Sequence, residues 1–477
     1  MNLSISVIES SNFLPKLKGF QYEFPVESTY NPHYHRYHHH HHRYHSLIHW
    51  IKFRFRNRLR LIFTVFLSII ILISMYIGGV FVYPFETTFN EENFHYPIYS
   101  KDFRYFIESA KQNLSENALK PINNYSFHYH LNPVNKCQPQ QQQEDNFQTN
   151  SSFDNNSPIT LLLVIKSATC NFLQRIIIRQ TWGNEQRFSD VKIRTVFMLG
   201  ECSSIDCPNE HHPTTTSTIM FTRKSQKFIK IFNQNQTIDC QRLIDIENQF
   251  YRDIVQADFI DSYYNNTKKT MSSLQWTAKN CNQVPFILFV DDDYYISIKN
   301  LLKFSRNYLR FIMEPTTEQS SNEFDSDLSD NQDIQEAQDD WLQHRQQFDG
   351  RLYVGYLFPN SHPLRHLTSK WYISLNEYEW NQYPPYITGG CFLVNNQTLI
   401  DLYYSSLYSE SFKYDDVYLG ILAYRMNIKL IDLKQQISFY SLKYDWKKFS
   451  KLIGSHGFHD PNHLWQIWNE QKSLGYA

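Results

Sequence analysis

The stretch FILFVDDDYYIS, residues 286–297, decides the fold of this chain and the place of its chemistry. Its first five residues form an apolar run with the length and composition of a buried strand. Three carboxylates follow at once, Asp291, Asp292 and Asp293. At ~4 Å two such charges repel by about 1 kcal/mol in water, and by several-fold more in a partly buried site. Something positive is therefore expected beside them, and a divalent cation with oxygen ligands is the first candidate.

Segments of strand and helix character alternate before this stretch. ITLLLVIKSA (159–168) and IRTVFMLG (193–200) are apolar runs of strand length, and CNFLQRIIIRQTW (170–182) between them has helical spacing. This β-α-β order predicts an α/β fold with a mostly parallel central sheet that is covered on both faces. Ligands of such sheets bind at the carboxyl ends of the strands, where the three aspartates lie.

The segment 61–83, LIFTVFLSIIILISMYIGGVFVY, contains no charged residue and is long enough as a helix to cross about 30 Å of hydrocarbon. Acidic residues follow it, and the residues just before it include five basic ones: Lys52, Arg54, Arg56, Arg58 and Arg60. The positive-inside rule then places the amino terminus in the cytosol. We expect an uncleaved signal-anchor, a single transmembrane helix, with everything after residue 83 lumenal or extracellular.

Cysteines and glycosylation sequons agree with that orientation. All seven cysteines follow residue 83, in a compartment where disulfides persist. Their odd number leaves at least one thiol free or paired with another chain. Seven N-x-[ST] sequons also follow this segment, on the side where N-glycosylation takes place. They are at Asn113, Asn124, Asn150, Asn155, Asn235, Asn265 and Asn396.

Composition divides the rest of the chain. Residues 1–60 read as a cytosolic tail, disordered and His-rich; a metal-binding tract is the alternative, but a flexible tract cannot preset a coordination geometry. Residues 84–157 contain a glutamine run and little periodicity, which indicates an extended stalk. Residues 158–477 form the predicted folded domain, interrupted by polar insertions near 202–237 and 314–348.

The two insertions differ in character. The first contains Cys202 and Cys207, which are close enough in sequence to close a small loop. The second is strongly acidic but lacks the D-x-[DN]-x-[DN]-G order of a calcium loop, so a solvated surface segment is favoured.

Charge and glycine content exclude two classes of protein. The formal net charge is -1, whereas a nucleic-acid binder needs a basic excess to neutralise phosphates. The chain has 13 glycines and neither G-x-G-x-x-G nor G-x-x-x-x-G-K-[ST]. A phosphate cradle built from a glycine-rich loop is therefore not expected.

Seven segments in series resemble the motifs of the β-1,3-galactosyltransferase family, most closely its brainiac-like branch. They are RIIIRQTWGNE (175–185), VFMLG (196–200), DFIDSYYNNTKKT (258–270), FVDDDYYIS (289–297), YPPYITGGCFLV (383–394), YDDVYLG (414–420) and GSHGFHDPNHLWQIWNE (454–470). The resemblance covers about 159–477 apart from the two insertions.

The resemblance implies a type II Golgi membrane protein with a lumenal, nucleotide-binding domain of the GT-A fold. It implies transfer of galactose or N-acetylglucosamine from a UDP donor to the 3-hydroxyl of a sugar on a glycolipid or glycoprotein. Mn²⁺ would assist, and the anomeric centre would invert. A membrane-tethered metal-dependent lectin and a glycoside hydrolase with a carboxylate pair remain as alternatives.

The family's D-x-D motif matches the three aspartates. Asp293 is then the expected direct metal ligand, Asp291 lies near the ribose or the metal, and Asp292 belongs to the donor site. A cation that bridges the two phosphates to a carboxylate would stabilise the charge of the departing UDP. In YDDVYLG, inverting transfer needs a base; Asp416 matches best and Asp415 is the reserve. The alternative is that both acids only complement a helix dipole.

Arg175, Arg179 and Trp182 are further candidates for the donor site. The two arginines are four residues apart and Trp182 follows them, which suits contacts to diphosphate and uracil, or an internal ion pair with Asp258 or Asp261.

Gly389 and Gly390 suit either close approach of the sugar or tight packing. His456 lies near His459 and His463, but no H-E-x-x-H accompanies them. We favour a substrate-side or structural role for His456 and keep it as a third candidate metal ligand beside Asp293 and Asp291.

Overall fold

A computed structural model describes residues 35–90, 92, 94–96, 103–112, 120–123, 125–138, 160–203, 221–234, 239–313 and 349–477. The chain divides into two compact units, Met1–Phe81 and Val82–Ala477. The predicted acidic insertion near 314–348 and most of the insertion near 202–237 lie outside the described residues.

The first unit contains the helix α1 (His35–Ile77). Within it, His49–Ile77 is the one segment among the described residues that is long and apolar enough to cross a membrane, which is consistent with the predicted anchor. Two boundaries differ from the prediction. Residues 35–60, expected to be disordered, are helical, and the helix ends at Ile77, where Gly78 and Gly79 follow and Gly79 takes a positive φ of 75°.

The second unit is built on an eight-stranded sheet with the order β1-β4-β3-β2-β5-β8-β7-β9. Strands β4, β3, β2 and β5 run parallel to one another. Strand β1 pairs antiparallel with β4, and β8 pairs antiparallel with β5. The strands are β1 (Tyr129–Leu131), β2 (Leu161–Lys166), β3 (Ile193–Glu201), β4 (Ile254–Ile260), β5 (Phe286–Asp291), β7 (Tyr353–Phe358), β8 (Tyr386–Asn395) and β9 (Ile431–Asp432). The predicted α/β fold with a mostly parallel sheet is confirmed.

A second, three-stranded sheet has the order β10-β11-β6. Its strands are β6 (Tyr294–Ile296), β10 (Ile437–Ser438) and β11 (Gly454–His456). Because β6 begins three residues after Asp291, this small sheet brings the C-terminal histidine motif beside the acidic triplet: His456 is the register partner of Tyr294.

Helices cover both faces of the large sheet, as its wholly buried central strands require. They are α2 (Phe103–Lys111), α3 (Phe172–Gln180), α4 (Arg223–Gln234), α5 (Cys240–Tyr251), α6 (Asn266–Asn280), α7 (Ile298–Met313), α8 (Asn396–Leu407), α9 (Asp415–Arg425), α10 (Trp446–Phe449) and α11 (Pro461–Ser473). Alternate side chains of β2 enter two core clusters on opposite faces, Leu163 in one and Val164 in the other.

The described parts of 84–157 do not form the extended stalk that the sequence predicts. Phe94, Tyr96, Phe103 and Ile107 are buried in one of the two core clusters of the second unit, and β1 is an edge strand of the large sheet. These aromatic and aliphatic residues are too irregularly spaced to give a periodic signal, yet tertiary packing buries them.

Two disulfides are described in full. Cys137 bonds to Cys281, which ties the segment after β1 to the end of α6. Cys202 bonds to Cys240 rather than to Cys207, so the predicted small loop is wrong. Cys170 is also disulfide-bonded, and Cys391 is the free cysteine of the described residues, buried in β8.

Candidate active site

A cavity of about 780 Å³ opens at the carboxyl ends of β2 and β5. Its lining includes Asp291, Asp293, Asp415, Asp416 and His456. A second cavity of about 740 Å³ is lined by residues such as Tyr96 and Tyr125 and contains none of the predicted site residues. The cavity at the strand ends is therefore the candidate active site.

Asp293 is held beside two histidines. Its Oδ2 lies 3.1 Å from Nε2 of His456 and 3.3 Å from Nδ1 of His459. The hydrogen bond to Asp293 raises the pKa of His456, and burial opposes that shift. The carbonyl of Asp293 accepts hydrogen bonds from the amides of Gly457 and Phe458, so the backbone of the turn fixes the carboxylate in place.

This group has the chemistry of a metal site. One ligand atom from each of Asp293, His456 and His459 lies within 4.8 Å of the others. Asp293 Oδ1 is buried and has no hydrogen-bond partner within the described residues, which is costly unless a ligand satisfies it. A carboxylate with two imidazoles suits a first-row divalent cation.

Two of the three predicted metal ligands, Asp293 and His456, lie in this group, and their role as ligands stays a prediction. The sequence analysis set His459 aside, but its side chain also lies in this group, three residues after His456. Asp291 is not among the three clustered groups, because its carboxylate pairs with a lysine instead.

Lys166 is the centre of a second cluster. Its Nζ lies 3.0 Å from Oδ1 of Asp291 and 3.5 Å from Oδ2 of Asp415, and it donates to the carbonyl of Gly389 at 2.9 Å. Burial lowers the pKa of Lys166, but the two carboxylates more than offset it, so the net shift is upward and the ammonium stays charged. Sequence reasoning missed this residue; the signal was a lone charge at the end of an apolar strand.

Asp292 is buried and is not among the residues that line this cavity. Its Oδ2 accepts hydrogen bonds from Ser167 Oγ at 2.6 Å and Asn171 Nδ2 at 2.9 Å, and its carbonyl accepts one from Gln174 at 2.7 Å. Burial raises the pKa of Asp292, while the bonds from Ser167 and Asn171 oppose the shift. The middle carboxylate therefore joins the turn to β2 and α3, and its placement in the donor site stays a prediction.

The second acidic pair lies in the first turn of α9, and its two members differ. Asp415 is satisfied by neighbours: Thr270 Oγ1 donates to its Oδ2 at 2.6 Å, beside the contact to Lys166. Asp416 accepts a hydrogen bond from the Val417 amide at 2.8 Å and lines the cavity. Burial and the neighbouring Asp415 raise the pKa of Asp416 to about 7. A carboxyl with that pKa suits proton transfer near neutral pH better than one already paired.

The two glycines of β8 pack closely against residues of the site. A Cβ on Gly389 would lie 3.0 Å from Asp415 Oδ2, and a Cβ on Gly390 would lie 2.7 Å from the hydroxyl of Tyr294. Both glycines also line the cavity. Close packing against site residues is thus an observed reason for glycine here, and contact with a sugar stays a prediction.

Arg175, Arg179 and Trp182 do not line the cavity. Arg175 is fully buried, and its guanidinium donates to both carboxylate oxygens of Glu247. Arg179 contacts Glu247 at 2.7 Å and Asp253 at 2.8 Å. Trp182 is packed in the core with 1% exposure. The predicted contacts to a nucleotide therefore give way to the alternative, an internal ion-pair network.

The partners of that network differ from those expected. Asp258 accepts a hydrogen bond from the His128 amide, and Asp261 pairs with Lys269 at 2.6 Å. Arg175 is connected to the site indirectly. It donates a hydrogen bond to Ser167 Oγ at 3.0 Å, and Ser167 donates one to Asp292.

Comparison with known proteins identifies the family of this chain. The pattern of the galactosyltransferase family matches residues 227–357 and 324–434. The Beta-1,3-galactosyltransferase brn of Drosophila melanogaster is 34% identical over 321 residues, which are 67% of this chain and 77% of that protein. The chain belongs to the β-1,3-galactosyltransferase family.

Two further relatives show lower identity to this chain. Beta-1,3-galactosyltransferase 5 of Homo sapiens is 26% identical over 71% of this chain and 87% of its own length. Beta-1,3-galactosyltransferase 1 of Mus musculus is 24% identical over 78% of this chain and 88% of its own length. Among solved structures, the match to the WbbM bifunctional glycosyltransferase covers 69% of this chain and 52% of that one at 10% identity, with a TM-score of 0.27.

Membership of the β-1,3-galactosyltransferase family makes this protein a glycosyltransferase, a hexosyltransferase that needs a sugar donor and an acceptor. The predicted family and enzyme class are confirmed. The metal-type group and the separate acidic pair line the same cavity.

Proposed function

We propose that this protein is an inverting β-1,3-glycosyltransferase. It transfers galactose or N-acetylglucosamine from a UDP donor to the 3-hydroxyl of a sugar on a glycolipid or glycoprotein. One observation carries the proposal: a single cavity holds the Asp293–His456–His459 group and, from a different element, the carboxylate of Asp416. An inverting transfer needs charge stabilisation and a base at separate places.

Asp293, His456 and His459 would hold the divalent cation, for which Mn²⁺ is our candidate. When bound there, the cation supplies positive charge to the oxygen that leaves with UDP. Lys166 keeps Asp291 and Asp415 in place near this group. A smaller cavity of about 180 Å³ adjoins the three aspartates, and its lining includes Lys166 and Lys269.

Asp416 acts on the acceptor in this proposal. The 3-hydroxyl oxygen of the acceptor attacks the anomeric carbon, the bond from that carbon to the β-phosphate oxygen breaks, and the hydroxyl proton passes to Asp416. Attack from the face opposite the leaving group inverts the anomeric centre. The raised pKa of Asp416 supports this role, because a base with a pKa near the working pH accepts protons most effectively.

We also propose a Golgi location as a single-pass type II membrane protein with the catalytic unit in the lumen. The apolar helix precedes the enzyme unit, and the disulfides lie after it, as in an oxidising compartment. Protease protection of the tagged termini in sealed Golgi vesicles tests this: the carboxyl terminus should be protected and the amino terminus cleaved.

The activity is tested on the full-length protein in detergent micelles. UDP-galactose and UDP-N-acetylglucosamine are each offered with a panel of octyl β-glycosides, with Mn²⁺ or with EDTA. We expect UDP release that requires both acceptor and metal, and a β-1,3 linkage in the product. Sugar release that needs no nucleotide would instead indicate a hydrolase, and metal-dependent glycan binding without turnover would indicate a lectin.

A further inference from the structure

The candidate cavity has an aromatic wall that the chemistry above does not use. Tyr263 lies in the turn before α6, and Trp371 lies in the loop between β7 and β8; both line the cavity. Trp371 is 51% exposed and Tyr263 is 43% exposed. Large aromatic rings left open in a cavity gain free energy when a ligand covers them, so this wall has the character of a binding surface.

The two rings are fixed to each other. The indole Nε1–H of Trp371 donates to the hydroxyl of Tyr263 at 3.0 Å, and the ammonium of Lys370 lies 3.7 Å from the centre of the Tyr263 ring. Their polar edges therefore have partners, while much of the indole surface stays exposed. We call Trp371 and Tyr263 together the aromatic platform.

A buried arginine stabilises the loop that carries Trp371. Arg365 is 1% exposed and pairs with Glu86 at 2.7 Å. Its other donors bond to three carbonyls of the same loop, those of Ile373, Tyr378 and Trp380. A loop closed in this way presents its aromatic side chain without a large ordering cost on binding.

The platform is also tied to the helix that carries the proposed base. Tyr414 donates its hydroxyl hydrogen to the carbonyl of Tyr372 at 2.7 Å. Tyr372 follows Trp371 in the chain, and Tyr414 is the N-cap residue of α9, directly before Asp415 and Asp416. One hydrogen bond thus joins the residue that follows Trp371 to the residue two positions before Asp416.

The chemistry of the platform separates it from the charged part of the cavity. A diphosphate needs cations, which Lys166 and a cation held by Asp293, His456 and His459 would supply. A pyranose ring has an apolar C–H face and a hydroxyl rim, which matches an exposed indole surrounded by polar groups. Resting on the proposed function, we infer that the aromatic platform is the acceptor subsite and stacks on a sugar ring of the acceptor glycan.

The test compares Trp371→Ala with Trp446→Ala in the full-length protein. Trp446 is the matched control, since it is 43% exposed on α10 and does not line the cavity. The KM for the best octyl β-glycoside of the panel and the affinity for UDP with Mn²⁺ are measured for each. We expect Trp371→Ala to raise the acceptor KM by about tenfold or more, and to change UDP affinity less than twofold. Trp446→Ala should leave both unchanged.

Three results would overturn the assignment. These are an unchanged acceptor KM in Trp371→Ala, a loss of UDP affinity that places uracil on the indole, and an equal effect in Trp446→Ala. Tyr263→Leu gives a second route if Trp371→Ala folds poorly, and Trp371→Phe should restore part of the acceptor affinity. Binding of the same glycoside without donor is measured in parallel. If no variant or wild type turns over, loss of that binding in Trp371→Ala still supports the platform while the proposed function fails.

Discussion

Lys166 and Asp291 are register partners at the carboxyl ends of β2 and β5, with 3.0 Å between Nζ and Oδ1. The pair shows how three successive carboxylates are tolerated. Asp291 is paired with a lysine, Asp292 accepts bonds from neutral donors, and Asp293 faces two imidazoles. Three different environments offset the mutual repulsion of the carboxylates.

Replacing Lys166 by Met should lower stability and activity together, because Asp291 and Asp415 lose their shared cation. We expect a loss of about 1–3 kcal/mol in the free energy of unfolding, measured by urea denaturation. Lys434→Met is the control, since its pair with Asp432 is exposed and should change stability by less than about 1 kcal/mol. Equal effects of the two substitutions would contradict the structural role of Lys166.

Asp293→Asn should abolish tight binding of Mn²⁺ and lower turnover by roughly a hundredfold or more, since it removes the charged ligand of the group. Electron paramagnetic resonance of free Mn²⁺ measures the first effect and UDP release the second. His459→Ala should weaken metal affinity by a smaller factor. His463→Ala is the control, because His463 stacks on Phe458 outside the group. Wild-type metal affinity in Asp293→Asn would exclude this site.

Asp416→Asn should lower kcat by roughly 10²- to 10⁴-fold, the usual range for loss of a general base. Because the amide keeps the shape and the cavity, the melting temperature and UDP affinity should stay near wild type. Asp415→Asn should instead disturb the cluster around Lys166, with a fall in melting temperature. If Asp415→Asn lost turnover and Asp416→Asn kept it, the two roles would be exchanged.

The pH dependence of kcat/KM should follow the pKa of Asp416, which burial and Asp415 raise to about 7. A base works only when deprotonated, so activity should fall about tenfold per unit below that pH and level off above it. The same shift predicts that this group's contribution to stability declines as the pH rises from about 4 to about 7, because the folded state binds the proton more tightly than the unfolded state. A flat kcat/KM profile from pH 5.5 to 8 would exclude this assignment.

Glu247→Gln should destabilise the enzyme unit by about 3–5 kcal/mol, because Arg175 and Arg179 then lose their buried carboxylate. Asp190→Asn is the control, since its pair with Arg306 is exposed. UDP affinity of the folded fraction should stay within about twofold, as expected of an ion pair outside the cavity. A selective loss of UDP affinity would restore the nucleotide-binding interpretation of the two arginines.

The sequence predicts the position of site residues best where acidic residues directly adjoin an apolar strand or helix pattern. The acidic triplet at the end of β5 and the acidic first turn of α9 both lie where their patterns place them. Lys166 was missed because its partner is set by strand register, which no local pattern encodes. The partner of Arg175 is Glu247, 72 residues later, so packing of α3 against α5 decided between the two interpretations of the arginine pair.

The segment after the apolar helix α1 also sets limits on how the enzyme can be shortened. A recombinant fragment that began at residue 158 would lack Phe94, Tyr96 and Ile107 and leave Cys281 with an unpaired thiol. It would expose an apolar surface that the intact protein covers, and aggregation is the expected result. Secreted versions for crystallisation or inhibitor screening should therefore start at Val82, where the second compact unit begins.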